Sequence, residues 1–448
     1  MMAGSELIWK IVTTFWLCCS YMELGICFFL IGPTQLDIRD QNGVDYKTTA
    51  WIYISQGIGI ICGLLLNCLH VFTRLDGQFT IGLSCLLASV GTFVAGWSRN
   101  FFLTNAGFFV QGIAIGVVET VGFFVCEETW ASKAPAMFQA TVAGMGLGSL
   151  LATYLATKFS SYHSATTPEK PEVHSNLSSA SENTVMSSVA QNFSSGFLST
   201  RDASSNQVRF AYVITSAMLL TTSLWFLGQH VVRWRPSFKT VSYENLNAED
   251  LNASQKEKRR SSWYFICALN ALLVCLATGE QNVLGNLLPM YVFLTYRAQN
   301  PHFTTVLWCG FLASRFACVY ITLKIGTRNV MFLSLIFATV GALMFMVSFG
   351  NIALLWVSVI ILAWGIGPTF PASVTWAKEN LGIGQGGLSL IFILATISHA
   401  GLGAIATYIL SVASPWYYGC SVFVLTGTML VNAVGIACFN NFTNSIKH

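Results

Sequence analysis

Twelve hydrophobic stretches run almost end to end through this 448-residue chain, near 9–31, 50–70, 79–97, 101–126, 135–158, 208–230, 262–291, 302–323, 329–349, 352–377, 385–411 and 416–439. Each approaches or exceeds the roughly 20 mostly apolar residues that a helix needs to cross a bilayer. A barrel strand would instead show about 10 residues of alternating polarity. Only two polar breaks exceed a short loop, 160–206 and 231–261. The pattern predicts an all-α polytopic membrane protein with 12 transmembrane helices in two six-helix, pseudo-symmetric halves, 1–230 and 262–448, joined by a linker at 231–261. Six spans and six is how a transporter built from two parallel half-repeats divides. The first stretch has no small-residue cleavage site and runs too long for a signal-peptide core, so it reads as a retained anchor.

Composition excludes a soluble fold. Charged residues are 9% of the chain and hydrophobic residues 54%, with a mean hydropathy of +0.60, against roughly 25% charged in ordinary domains. The net charge of +4 takes its meaning from the side of the membrane. Placing the N-terminus in the cytosol puts 14 of the 23 Lys and Arg inside, and the C-terminus then lies inside as well. The loop 160–206 falls outside, is rich in Ser, Asn and Thr, and carries the sequons Asn176-Leu-Ser and Asn192-Phe-Ser, the expected glycosylation sites. Asn252 and Asn441 also begin sequons but fall on the cytosolic side. Thirteen cysteines sit almost entirely in apolar stretches and read as packing residues. No Cys/His spacing suggests a metal, and no cofactor is implied.

Chemistry is therefore sought in the few polar groups inside spans, because burying them is costly. In the fourth span Gly112, Gly116 and Glu119 share one helical face. The glycines allow close helix approach, and the carboxylate, about 2.5–3.5 kcal/mol unfavourable on insertion scales, is suited either to carry a proton or to accept hydrogen bonds from adjacent sugar hydroxyls. The same span carries Gln111. The seventh span holds Glu280, Gln281 and Asn282, followed by Gly285, Asn286 and Pro289, which should loosen the helix. Glu280 either lines a central site with its neighbours or lies near enough to the outer surface to be hydrated. In the tenth span Pro368 and Pro371 should bend or break the helix between Trp364 and Trp376. Trp364 would stack on a sugar ring, while an interfacial anchor suits Trp376 equally well. Arg315, the one cation deep in a span, wants a carboxylate, and Glu280 or Glu119 would serve. Glu23 lies midway through the first span. Asp37, at its outer end beside Arg39, is explained by hydration and a local ion pair. Gln56, Gln139 and His399 are polar enough to line a pathway, although interhelical hydrogen bonding explains each as well.

The ordered strings Gly32-Pro33-Thr34…Leu36-Asp37, Trp51…Ser55-Gln56, Gly112…Gly116…Glu119-Thr120, Gly310…Ser314-Arg315 and Thr369-Phe370-Pro371…Ser373 resemble the major facilitator superfamily. Within it they resemble the branch holding the fucose permease and the sodium-dependent glucose transporter 1 and major facilitator superfamily domain-containing protein 4 group. The resemblance implies sugar transport by alternating access, with Glu119 as the ion- or proton-coupling acid. The second essential acid of the fucose permease aligns with Phe29, with Glu23 six residues before and Asp37 eight after. Glu23 and Asp37 therefore stand behind Glu119 as coupling candidates. The basic motif usual between the second and third spans is reduced to Arg74-Leu75-Asp76-Gly77.

The reading is a secondary transporter of a hexose or similar sugar in the plasma membrane, coupled to sodium or protons. The solute would bind near Glu119, Glu280, Gln281, Asn282, Trp364, Gln56, Gln111 and Arg315. The alternatives are an uncoupled facilitator and a transport-inactive receptor or scaffold of the same fold. An intramembrane enzyme would need a catalytic pair such as His–Asp, and the mid-span histidine, His399, has no acid near it in sequence. The partners implied are a small polar solute and membrane lipid, with no nucleic acid, and the chain is expected as a monomer.

Overall fold

The structure is a computed structural model, and it describes residues 2–45, 48–69, 75–159, 207–232, 253–296, 302–412 and 414–445. The sequons at Asn176 and Asn192 and most of the linker lie outside these. The described residues form α1 (Met2–Phe29), α2 (Ile31–Asn42), α3 (Ala50–Cys68), α4 (Gly77–Trp97), α5 (Phe101–Trp130), α6 (Ala134–Phe159), α7 (Val208–Val232), α8 (Ala253–Tyr296), α9 (His302–Val347), α10 (Ile352–Ile366), α11 (Thr369–Leu381), α12 (Gln385–Val412) and α13 (Trp416–Ser445). A 3-10 turn at Ala131–Lys133 joins α5 to α6. No strand occurs among the described residues.

Among the described residues ten stretches are long and apolar enough to cross a membrane. Two of these double back, Phe101–Phe159 at the 3-10 turn and His302–Val347 at Gly326, which gives twelve crossings. Gly326 has φ 77°, a conformation that costs other residues a steric penalty, so a glycine there lets one apolar run make two antiparallel arms. Elsewhere the punctuation is by capping. Asn100 Oδ1 accepts from the backbone N–H groups of Phe102 and Leu103 at 2.9 and 3.4 Å and starts α5. Asn351 does the same for Ala353 and Leu354, both at 3.1 Å, and starts α10. Such caps satisfy donors the first helical turn leaves over.

The tenth span breaks as its prolines predict, between α10 and α11 at Gly367-Pro368. The seventh does not. The helix α8 runs unbroken past Gly285 and Pro289 to Tyr296, so the expected loosening is corrected. The segment beyond Leu30 forms a further helix, α2, that the hydropathy pattern did not announce.

Call the end where α1 begins, α5 passes to α6 and α9 bends the near end, and the opposite one the far end. Toward the far end the apolar cores separate largely by half. One gathers Ile52, Phe108 and Tyr212 of the first half, and another Tyr291, Phe345 and Tyr418 of the second. Toward the near end a single core takes in both halves, with Leu17, Ile115 and Phe138 packed together with Phe370, Val374 and Phe392.

Candidate functional site: the seam between the halves

A layer of cross-seam contacts accompanies the shared near-end core. Ser389 Oγ donates to Thr120 Oγ1 at 3.3 Å, Cys68 Sγ to the Gly386 carbonyl at 3.4 Å, and Gln139 Nε2 to the Pro368 carbonyl at 3.4 Å. Lys378 Nζ lies 3.4 Å from Glu127 Oε2 and 4.8 Å from the Phe124 ring centre. Toward the far end the halves meet through aromatic rings. Phe29 of α1 stands edge-on to Trp308 of α9 at 4.7 Å between centroids, and Phe28 lies 6.0 Å from His399 of α12. The near end is closed.

Glu119 lies beside this closing layer. The Tyr21 hydroxyl donates to its backbone carbonyl at 3.0 Å, Gly122 abuts the Tyr21 ring, Phe123 meets Phe138 of α6 at 4.8 Å, and Thr120 faces α12. On a helix, position 119 falls between 122 and 123 in angle. Its direction is therefore toward other helices of the bundle. The side chain nevertheless keeps partial accessibility, which in that direction opens onto the space between helices. One turn farther out, Gly112 and Gly116 press α5 onto α3. A Cβ on either would collide with the carbonyl oxygen of Gln56 or Ile60. The two glycines thus set the helix contact, and Glu119 lies beyond its edge.

Arg315 is fully buried and, among the described residues, takes no carboxylate, contrary to expectation. Its Nε donates to the Gly367 carbonyl at 2.7 Å, its Nη1 to the Val142 carbonyl of α6, and its guanidinium stacks 4.1 Å from the Phe311 ring centre. The reason lies in the tenth span. Pro371 has no N–H to offer the carbonyl four residues back, so Gly367 has a free acceptor, and Arg315 fills it. The second bond crosses the seam, so one side chain ties the broken span to the other half.

No family model matches the chain. It is 22% identical over 389 residues to sodium-dependent glucose transporter 1 of Xenopus laevis, covering 85% of this chain and 72% of that protein. To the Homo sapiens protein of the same name it is 20% identical over 404 residues, covering 87% and 72%. The crystal structure of FucP, a major facilitator superfamily transporter in the outward conformation, superposes with a TM-score of 0.67 at 13% identity, over 95% of this chain and 99% of that one. The fold is that of the major facilitator superfamily.

Within the major facilitator fold the remaining predicted residues fall into three groups. Gln56, Gln111 and Thr92 form an interhelical chain. Gln111 Nε2 donates to Thr92 Oγ1 at 2.7 Å, and Gln56 Nε2 to Gln111 Oε1 at 2.9 Å and to the Cys27 carbonyl at 3.2 Å. Their hydrogen bonds are used within the first half. A second group is sealed inside single halves. Glu23 accepts from Thr222 Oγ1 of α7 at 2.6 Å, so a threonine of the same half faces it. Glu280 is 0% exposed, and among the described residues neither of its oxygens is hydrogen-bonded. It continues the helical face of Leu273, Ala277 and Leu284, which pack into the second half's own cores. Neither the expected hydration nor the grouping of Glu280 with Gln281 and Asn282 at the seam holds.

The third group faces the seam or lies at the edges. Asn282 Nδ2 donates to the His399 carbonyl at 2.6 Å, beside the Phe28 contact, and Gln281 keeps partial accessibility. Trp364 is 44% exposed, on one stripe of α10 with Val357 and Ile360. Trp376 is buried against Phe332, so it is no interfacial anchor. Asp37 is 1% exposed rather than hydrated, and Arg39 pairs with Asp40 at 2.7 Å. The aromatic contact of Phe29 with Trp308 has no signature in the sequence, since both are ordinary apolar positions of their spans. Among the described residues, no cluster of side chains suited to a metal occurs.

Proposed function

We propose that the chain carries a hexose or a similar polar solute across the plasma membrane by alternating access, coupled to sodium ions or protons, with its near end and both termini in the cytosol. The observation that carries the reading is Glu119, a carboxylate that keeps access to the bundle interior immediately beside a closed seam. The names of the relatives support a sugar as the solute. Reversal of the near-end contacts while the halves part would expose the same carboxylate to the other side, which is what coupling requires. Asn282, Gln281, His399 and Trp364 supply donors, acceptors and an aromatic face for a polyhydroxyl solute. Asn176 and Asn192 are the sites at which outward-facing chain would be glycosylated. No catalytic chemistry is assigned.

An uncoupled facilitator is the second reading, and the sealing of Glu23 and Glu280 within single halves favours it, because it leaves Glu119 with fewer acids to share ion transfer. Labelled glucose uptake into proteoliposomes, with and without sodium and proton gradients, separates the two. Wild type is expected to accumulate glucose against its gradient under one ion, and Glu119→Gln to reach equilibrium only. Accumulation by Glu119→Gln equal to wild type removes the coupling role, and equilibration by wild type itself under every gradient establishes the facilitator.

A further inference from the structure

The closed seam leaves the charge of Arg315 without a counter-charge. Its guanidinium is 0% exposed, and arginine stays protonated in proteins. Its Nε donates to the Gly367 carbonyl of its own half and its Nη1 to the Val142 carbonyl of the other. Among the described residues Nη2 donates to nothing. The cover from the first half is one face of α6, on which Gln139, Val142 and Gly146 stand at i, i+3 and i+7. Gln139 Nε2 donates to the Pro368 carbonyl at 3.4 Å, and a Cβ on Gly146 would come within 3.2 Å of the Phe311 ring on which the guanidinium stacks. Gln139 Oε1 is itself buried and, among the described residues, unpartnered. Each side of this contact therefore keeps an orphaned buried atom, a donor on one and an acceptor on the other, although buried polar groups in folded proteins are overwhelmingly paired.

A permanent interface pairs such atoms, whereas a contact that opens has no need to. Val142 belongs to the near-end core that both halves share, and Gln139 to the layer of contacts beside it. Alternating access must therefore withdraw this face of α6. What remains on the second half is Arg315 with Nε still held by Gly367, its ring stack intact, and both outer nitrogens facing the gap. That is the two-pronged end of a guanidinium fixed in one orientation, and the group that matches it is a carboxylate, which accepts two parallel bonds. The helix α11 begins at Thr369, two residues beyond Gly367, so the positive end of its dipole adds to the same field.

We infer that Arg315 is an anion-binding fork of the near-open protein, and that a small carboxylate entering from the near side binds end-on to Nη1 and Nη2. This rests on the alternating access proposed above and is independent of which solute is carried. In the near-closed state the α6 face occupies the same space, with the Val142 carbonyl on Nη1. The carboxylate therefore binds one state and not the other, and it draws the equilibrium toward the open near end. It also supplies the counter-charge that the closed seam lacks.

The test uses the purified full-length protein with Cys68 as its only cysteine, because the Cys68 thiol lies across the seam from the Gly386 carbonyl in the closing layer. Its rate of labelling by a maleimide is followed in detergent while potassium acetate replaces potassium chloride at constant ionic strength. Binding to a sparsely populated near-open state multiplies that population by 1 + [L]/Kd, so a site with a Kd of about 50 mM gives about threefold faster labelling in about 100 mM acetate. That acceleration, and its loss in Arg315→Met, is the expected result. If Arg315→Met fails to fold, Arg315→Lys takes its place; it keeps a point charge without the fork, and its labelling should be the same in the two salts. An equal acetate effect in the variants, or no acetate effect while Arg315→Met itself labels faster, overturns the anion site and leaves alternating access standing. Labelling that neither acetate nor Arg315→Met changes overturns both.

Discussion

Replacing Arg315 by methionine should do two separable things. The side chain makes one bond within its own half, to the Gly367 carbonyl, and one across the seam, to the Val142 carbonyl. Removing the first orphans a buried acceptor in every conformation, at a cost of about 1–3 kcal/mol, and lowers Tm. Removing the second costs only the near-closed state, because Val142 belongs to the other half. A hydrogen bond to a charged group contributes about 1.5–3 kcal/mol, so the ratio of closed to open near ends should fall about tenfold to a hundredfold. A protein retaining Cys68 as its single cysteine reports that ratio, since the Cys68 thiol sits in the closing layer 3.4 Å from the Gly386 carbonyl. Its labelling by a membrane-permeant maleimide should accelerate by the same factor. Adding Pro371→Ala to Arg315→Met then separates the two effects. Alanine restores an N–H to the position that Gly367 lacks, so Tm should recover while Cys68 remains fast. Unchanged Cys68 labelling in a folded Arg315→Met protein, or recovery of both quantities by Pro371→Ala, would refute the division of labour.

Two further outcomes follow from burial. Gly112→Ala should destabilise by about 1–3 kcal/mol because its Cβ meets a backbone carbonyl that cannot step aside, whereas Gly57→Ala, with nothing within 4 Å, should be neutral or stabilise by about 0.5–1 kcal/mol through helix propensity; thermal melts of the two variants in one detergent decide it, and equal effects contradict the close contact. Glu280→Gln should keep or raise Tm, since it removes a buried acid that has no hydrogen bond to lose, and a clear drop in Tm would show that the carboxylate is held by something other than apolar packing.

The spans were legible because hydrophobic length is a strong signal in lipid, where the backbone must bond to itself. The same rule explains what was missed at Pro289. A single proline removes one bond that neighbouring groups can replace, so α8 stays whole, while Gly367-Pro368 with Pro371 removes two in succession and the helix breaks. The segment Ile31–Asn42 is too polar for the hydropathy test, and its helix rests on local bonding and on burial of Ile31, Thr34 and Ile38. A buried cation suggests a charged partner, but for Arg315 Pro371 in the tenth span already implies a vacant carbonyl. The position of Glu280 was legible in principle. Leu273, Ala277 and Leu284 share its helical face, and an acid on an apolar stripe points where the stripe points.

The pseudo-symmetry of the halves bears on which acid matters. Asn100 and Asn351 cap the fourth and tenth spans in the same manner, and they lie 251 positions apart. Glu127 and Lys378 are separated by the same 251 and form an ion pair with each other across the seam, as equivalent positions near a twofold axis do. By that register the counterpart of Glu119 is Phe370, an apolar residue of the shared near-end core. The first spans of the halves behave differently. Glu23 precedes Pro33 by ten residues and Glu280 precedes Pro289 by nine, and each is buried in its own half. The two acids are out of register by one residue against their prolines, so they are not one repeated feature, but a rigid half carries each through every conformation in the same surroundings. Movement of one half against the other changes the surroundings only of groups at the seam. Glu119 is such a group, and its place at the seam is the physical ground on which the proposed coupling role falls to it ahead of the two more deeply buried carboxylates.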